Sequence, residues 1–409
     1  MLLGGTLAFI AASLFELNGV CWSTYDFISA DACYDDMNRH PSVCGKAFVK
    51  DQRTAMKLII QLMLCAGLAL TMPIHALASY ETGLEAANRG EFALAQKEWE
   101  AAAKKGDMNA QYNLGALMLS GKTGQSDPKK AIKWIEQAAN KGHVDAAYSL
   151  GLLYYTGSKE FKQDFSKAYK AFEVAAKKGH SAAQFSMGVM LINGQGMKKD
   201  ASAGLEMLKK SGEAGNPEAQ FNLGMAFASG QAGKKDPAEA FKWFLRSADG
   251  GYPMAQYQVG RMYLDGQGTD LNPATAKSWF LRAADKGHIE SQYALGLMAY
   301  TGLGQAVNFE EAQQWFMRAV KGWDRNAQFY LGKMYMNGET GKADMVEAYK
   351  WLDLAASSGH EDAHFYRSFV ASKLPKVDVQ KAHAMAQQWF DANHSQPHKH
   401  YDLKPHAHH

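Results

Sequence analysis

Residues 110–142 read AQYNLGALMLSGKTGQSDPKKAIKWIEQAANKG, and the fold follows from how this stretch is read. Ala110, Leu114, Leu117 and Met118 fall at i, i+4, i+7 and i+8, one face of a helix. Gly121 ends that helix. A polar loop leads to Asp127-Pro128, where aspartate can accept an amide hydrogen bond as N-cap and proline suits the first helical position. The second helix is expected to bury Ala131, Trp134, Ile135 and Ala138, with Gly142 as a left-handed C-cap. Small residues at Gly115 and Ala131 let the two helices approach closely. Such a hairpin has too little core to stand alone, so its neighbours must supply the burial.

The neighbours are copies of it. AQYNLG, AAYSLG, AQFSMG, AQFNLG, AQYQVG, SQYALG and AQFYLG end at Gly115, Gly151, Gly188, Gly224, Gly260, Gly296 and Gly332, steps of 36 or 37 residues. Nineteen residues after most of these comes a tryptophan: Trp134, Trp243, Trp279, Trp315 and Trp351. A small pair follows, as in Ala138-Ala139 and Ala283-Ala284. Asp236-Pro237 and Asn272-Pro273 repeat the capping device, and a period near 36 throughout means an all-α solenoid of helical hairpins.

These residues closely resemble the Sel-1-like repeat, a branch of the tetratricopeptide superfamily with AQ-x-x-LG and A-x-x-W-x-x-x-A-A signatures. The resemblance covers about 109–360 as seven full repeats and implies a right-handed α-solenoid. Residues 79–108 read as an incomplete first repeat with Trp99 and Ala102-Ala103 in register. Residues 361–393 read as a C-terminal cap that starts at Ala363-His364-Phe365 and holds Trp389, which places the solenoid at 79–393. Two copies depart from the pattern. The repeat at 181–216 has Gly204, Met207, Ser211 and Gly212 where others have alanine, tryptophan and the alanine pair, and is expected to be less well packed, a soft joint. In the repeat at 289–324, Trp323 replaces the capping glycine and either offers a contact point or reshapes one turn.

Upstream, MKLIIQLMLCAGLALTMPIHALA at 56–78 reads as an export signal: a lysine, an apolar run and a small-x-small end at Ala76–Ala78. A cut before Ser79 is expected; the alternative is an anchor at 58–78 with the repeats outside the cytoplasm. Lys50, Arg53 and Lys57 flank the run, so either case sends the C-terminal part across the membrane. A short signal of this form points to a periplasmic or secreted protein. Residues 1–55 read as an upstream extension, outside the mature protein. All four cysteines (Cys21, Cys33, Cys44, Cys65) lie at or before this stretch, without C-x-x-C spacing, so no disulfide or thiolate-bound metal is expected after it.

The chemistry is sparse. Net charge is +3 with no basic stripe, against a nucleic-acid reader. Gly115 and Gly121-Lys122-Thr123 nearly spell a phosphate loop, but one residue too many separates the glycines and both flanks are helical. Gly194-Gln-Gly196, Gly266-Gln-Gly268 and Gly302-Leu-Gly304 recur at one repeat position and read as turns. No catalytic constellation stands out, and no enzyme activity or cofactor is expected. His143, His180, His288 and His360 share one position after the capping glycine and are expected to meet helix-terminal carbonyls. The tail at 394–409 is read as disordered and His-rich, with His398, His400, His406, His408 and His409 as weak metal ligands.

By analogy with tetratricopeptide-like arrays, the first helix of each hairpin lines a concave groove. The column Tyr112, Tyr148, Phe185, Phe221, Tyr257, Tyr293, Phe329 and Phe365 either faces that groove or seals the stack. Columns that vary are better recognition candidates. One runs Ala116, Leu152, Val189, Met225, Arg261, Leu297 and Lys333; another runs Leu119, Tyr155, Ile192, Ala228, Leu264, Tyr300 and Met336. A largely apolar groove with a few cations suits a protein or peptide partner, and self-association is a further possibility. The resemblance implies the same, since relatives serve as scaffolds in envelope assembly, exopolysaccharide secretion, signalling and host interaction. Two other readings stay open: metal buffering by the tail, and small-ligand binding of the kind linked to β-lactams in cysteine-rich relatives. The cysteine pairs that staple those relatives' repeats are missing here.

Overall fold

The computed structural model describes residues 79–394 except 125–126 and 159–160. The export signal, the upstream extension, all four cysteines and the five tail histidines lie outside the described residues. Among the described residues there are eighteen α-helices and no strand. Helices α1 (Ser79–Asn88) and α2 (Phe92–Lys104) form the first hairpin; α3 (Met108–Ser120) and α4 (Pro128–Asn140) the next. Then come α5 (Val144–Thr156), α6 (Phe165–Lys177), α7 (Ser181–Asn193), α8 (Ala201–Glu213), α9 (Pro217–Ser229) and α10 (Pro237–Asp249). The array continues with α11 (Pro253–Asp265), α12 (Pro273–Ala284), α13 (Ile289–Thr301), α14 (Phe309–Ala319) and α15 (Arg325–Asn337). It closes with α16 (Met345–Ser357), α17 (Ala363–Lys373) and α18 (Lys376–His394). Through α16, each first helix packs on its own second helix, and each second helix packs on the next first helix.

The start signals act as their chemistry dictates. Asp127, Asp236 and Asn272 accept the amide hydrogens of Lys130, Glu239 and Thr275, with proline opening each helix. Gly121 ends α3 at φ 66°. What joins the two helices of a hairpin is a ring or branched side chain seated on the glycine of the first. A Cβ on Gly151, Gly224, Gly260 or Gly296 would lie 2.4–2.6 Å from carbons of Phe172, Phe244, Phe280 or Phe316. Ile135, Leu208 and Leu352 take the same seat in the remaining full repeats. The best-buried large side chain of the second helix is therefore the one after the tryptophan. Ile135 is 1% exposed, whereas Trp134, expected in the core, is half-buried.

The first hairpin shifts this register. Trp99 sits on Gly83, in the seat of Ile135, and its indole N–H donates to the Tyr80 carbonyl at 3.1 Å. It is thus one place away from the tryptophans of the other repeats. Residues 181–216 overturn the expectation of a soft joint. Gly188 faces Gly204, where a Cβ would meet the Gly188 carbonyl at 2.7 Å, so the glycines bring α7 and α8 closer together. Leu208 is 2% exposed, and buried Ser211 donates to the Ser181 carbonyl at 2.7 Å.

Trp323 does both things weighed for it. Among the described residues it alone has positive φ without being glycine, 65°, at the end of a 3-10 turn (Val320–Gly322). Its ring packs against Trp389 at 5.1 Å and Phe390 at 5.2 Å, so the contact it offers is to the chain's own last helix. Helix α18 lies across α16, with Trp389 also 5.4 Å from Trp351. Buried Asp353 on α16 ties the end together, accepting from Arg367 of α17 and pairing with His383 of α18, each at 2.7 Å.

Replacing Gly296 by alanine is expected to destabilise the protein by about 1–3 kcal/mol, because the Phe316 ring cannot withdraw from a packed hairpin. Chemical denaturation measures this. An alanine variant as stable as the parent would show that the glycine seat is not a required contact.

A groove along the first helices

The conserved-looking letters of the repeat turn out to be joints between repeats. Gln111, Gln220 and Gln256 are buried, and their amide N–H groups donate to the carbonyls of Ala103, Gly212 and Ala248 at 2.9–3.1 Å. Each reaches back eight residues, so the glutamine of AQ-x-x-LG ties a first helix to the end of the preceding second helix. A second tie joins glycine turns one repeat apart. Lys141 and Lys178 donate to the carbonyls of Gly106 and Gly142 at 2.5 and 2.7 Å, Lys286 to that of Gly251, and Arg325 to that of Gly359 at 3.2 Å.

Three of the four histidines cap helices from the other end than expected, and His360 bonds an amide in the turn before its helix. Nδ1 of His143, His180 and His288 accepts the amide hydrogen of Ala146, Ala183 and Ser291 at the start of the next helix. His360 accepts that of Asp362. They meet amide hydrogens, not carbonyls, because the turn after the capping glycine is so short that the next residue is already an N-cap. Asp107, Asn216 and Asp324 hold the same place elsewhere.

The aromatic column packs between repeats. Tyr112, Tyr148 and Tyr257 lie 4.8, 4.5 and 5.1 Å from His143, His180 and His288, and Phe329 stacks on His360 at 4.1 Å. Phe221 packs between Phe244 and Tyr252, at 5.5 and 5.3 Å. Tyr293 is 6.0 Å from Phe316, and Phe185 is half-buried beside the Leu208 cluster. Phe365, with no repeat beyond it, is 71% exposed. Burial pushes the hydroxyls of Tyr257 and Tyr293 above the ordinary phenol range.

The variable columns lie beside these seals. Between the first helices α3 and α5, Tyr112, Ala116, Leu119, Ser149 and Leu152 line an open groove of about 320 Å³ over Ile135. Ser149 and Tyr112 are hydrogen-bonded across it at 3.3 Å. Leu119 (36%), Leu152 (38%) and Met225 (44%) keep large exposed apolar surfaces on this face. Tyr155 and Tyr300 are half-buried and donate to Gln195 at 3.2 Å and Glu339 at 3.0 Å, each in the loop that follows the next first helix. Burial and the Glu339 carboxylate both raise the Tyr300 pKa. Arg261 is exposed, lies 6.0 Å from the Tyr257 ring and reaches Asp265 at 3.9 Å. Lys333 stands among three rings. Among the described residues, no cluster of three or more histidine, cysteine, aspartate or glutamate side chains is placed to hold a metal ion. No described helix is long and apolar enough to cross a membrane.

The profile described as Sel1 repeat matches residues 109–143, 144–180, 181–216, 217–252, 253–288, 289–322 and 325–360. The chain belongs to the Sel1 repeat family. Its solenoid is similar to the Sel1 repeat protein from Oxalobacter formigenes, at 25% identity over 59% of this chain and 96% of that one, with a TM-score of 0.53. It is also similar to c5321, a protective antigen of uropathogenic Escherichia coli with an SLR fold. There the identity is 24% over 77% of this chain and 76% of that one, with a TM-score of 0.49. No curated protein matches the sequence.

The caps make Sel1 stacking sensitive to acid. Burial lowers the proton affinity of His143, His288 and His360, so the unfolded chain binds protons more readily than the folded one. Their stabilisation is complete above the ordinary imidazole value of about 6.5 and is lost as pH falls through the lower folded values. Urea denaturation is expected to show stability declining as pH falls below about 6.5. His288→Asp should flatten that decline; an unchanged slope would show that the cap does not titrate.

Proposed function

We propose that this protein is a non-enzymatic adaptor that holds a protein or peptide partner along the groove of its first helices. The observation that carries this reading is the open groove between α3 and α5, lined by Leu119 and Leu152, with Met225 of α9 exposed two repeats further along. The adjoining aromatic column is largely occupied in sealing repeats, so this apolar surface is free for a partner. Family membership supports the reading, because Sel1-type solenoids present a repeated first-helix surface suited to extended partners.

The compartment is part of the same proposal. The lysine-flanked apolar run at 56–78 and its Ala76–Ala78 end support export, with Ser79 as the first residue of the mature chain.

Photo-crosslinkers placed in cells at Leu152, Met225 and Arg261 should capture one protein in common. A crosslinker at Lys242, exposed on second helix α10, should capture nothing comparable. Mass spectrometry of the product should find Ser79 as the N-terminal residue of this chain. Capture that is equal from both sets of positions would contradict the groove reading, and a first residue upstream of Ser79 would contradict cleavage.

A further inference from the structure

The C-terminal mouth of the groove differs chemically from the rest. In the column that carries Leu152 and Met225, the last positions are Leu297, Lys333 and, on α17, Phe369. The Lys333 ammonium lies 5.7, 5.6 and 5.7 Å from the ring centroids of Phe329, Tyr330 and Tyr366. The lysine is half-buried among them. Two neighbouring carboxylates are committed elsewhere: Glu347 pairs with Lys350, and Asp353 with Arg367 and His383. Glu339 accepts from Tyr300 and Asn337 through Oε1, while its buried Oε2 has no hydrogen-bond partner among the described residues and makes no ion pair with Lys333. No ion pair reaches Lys333 among the described residues. Rings around a cation exclude water, so an incoming carboxylate would meet a stronger field than at an open surface.

The surroundings define the rest of the partner. Because α18 lies across α16, no second helix closes on α17. Ser368 stands where the other repeats have their glycine, and it is exposed. Phe365 and Phe369 are left 71% and 45% exposed beyond Lys333, and Lys373 sits 5.5 Å over the Phe369 ring. Apolar surface therefore continues on both sides of the lysine, and the groove is open at its end. A bound chain is not required to terminate there.

We propose that this mouth receives an acidic side chain flanked by apolar residues within a partner peptide, with Lys333 as its counter-charge. The inference rests on the groove reading above and specifies its partner. Random peptides displayed on phage and selected on the full chain should be enriched in a glutamate or aspartate between apolar residues. Selection on Lys333→Met should keep the apolar enrichment and lose the acidic one. A selected peptide synthesised with an amidated C-terminus should bind roughly tenfold or more tightly than its glutamine counterpart. That difference should vanish on Lys333→Met.

Apolar enrichment without an acidic residue, or acidic enrichment unchanged in Lys333→Met, overturns the inference and leaves the groove reading standing. Binding only by peptides with a free C-terminal carboxylate also overturns it, since a terminus would then be the ligand. No enrichment from any library overturns both. The melting temperature of Lys333→Met, compared with the parent, shows whether the fold is intact.

Discussion

A Cβ added to Gly296 would lie 2.5 Å from two carbons of the Phe316 ring, and Gly151, Gly224 and Gly260 make the same demand of Phe172, Phe244 and Phe280. Only a bare backbone lets the ring come so close, and the depth of that seat sets the spacing of the hairpin. Burying such a ring contributes about 2–3 kcal/mol, too little to hold one hairpin against its own ordering entropy. Stability is then a sum over repeats and the joints between them, which is why the glutamine and lysine ties recur along the array, although buried Gln328 makes no such tie. The third full repeat meets the same constraint differently, with a second glycine bringing the backbones together.

Much of this was legible in the sequence. The period, the Asp-Pro and Asn-Pro starts, the glycine stops and the alternation of two helices all rest on local rules that tertiary structure had no reason to overrule. Three readings failed for identifiable reasons. Trp243, Trp279 and Trp351 are buried, but Trp134 is only half-buried, because the glycine seat belongs to the residue after it. A repeat lacking large side chains looked loose, although glycine can substitute close backbone approach for side-chain volume. The histidines were assigned to the helix that ends before them, whereas a one-residue turn hands three of them to the helix that follows.

The groove was legible only in part. Type-invariant rings marked the joints, and Tyr112, Tyr148 and Tyr257 pack as joints should, against capping histidines. The varied positions marked a surface free of that duty, and Leu119, Leu152 and Met225 are indeed exposed. Sequence could not show that Tyr155 and Tyr300 spend their hydroxyls on Gln195 and Glu339. Nor could it show that Lys333 is ringed by Phe329, Tyr330 and Tyr366, the last from a neighbouring helix. Such contacts depend on how consecutive repeats rotate, which no single repeat encodes.

The central claim is a division of labour: invariant positions hold the array together and variable ones meet the partner. The double substitution Leu119→Asp/Leu152→Asp tests it most directly, read by denaturation and by partner crosslinking together. The account predicts a folded protein that is destabilised only modestly, by about 1–2 kcal/mol for two partly buried positions, with loss of the crosslinked partner. A protein destabilised well beyond that, or one that retains its partner undiminished, would contradict it.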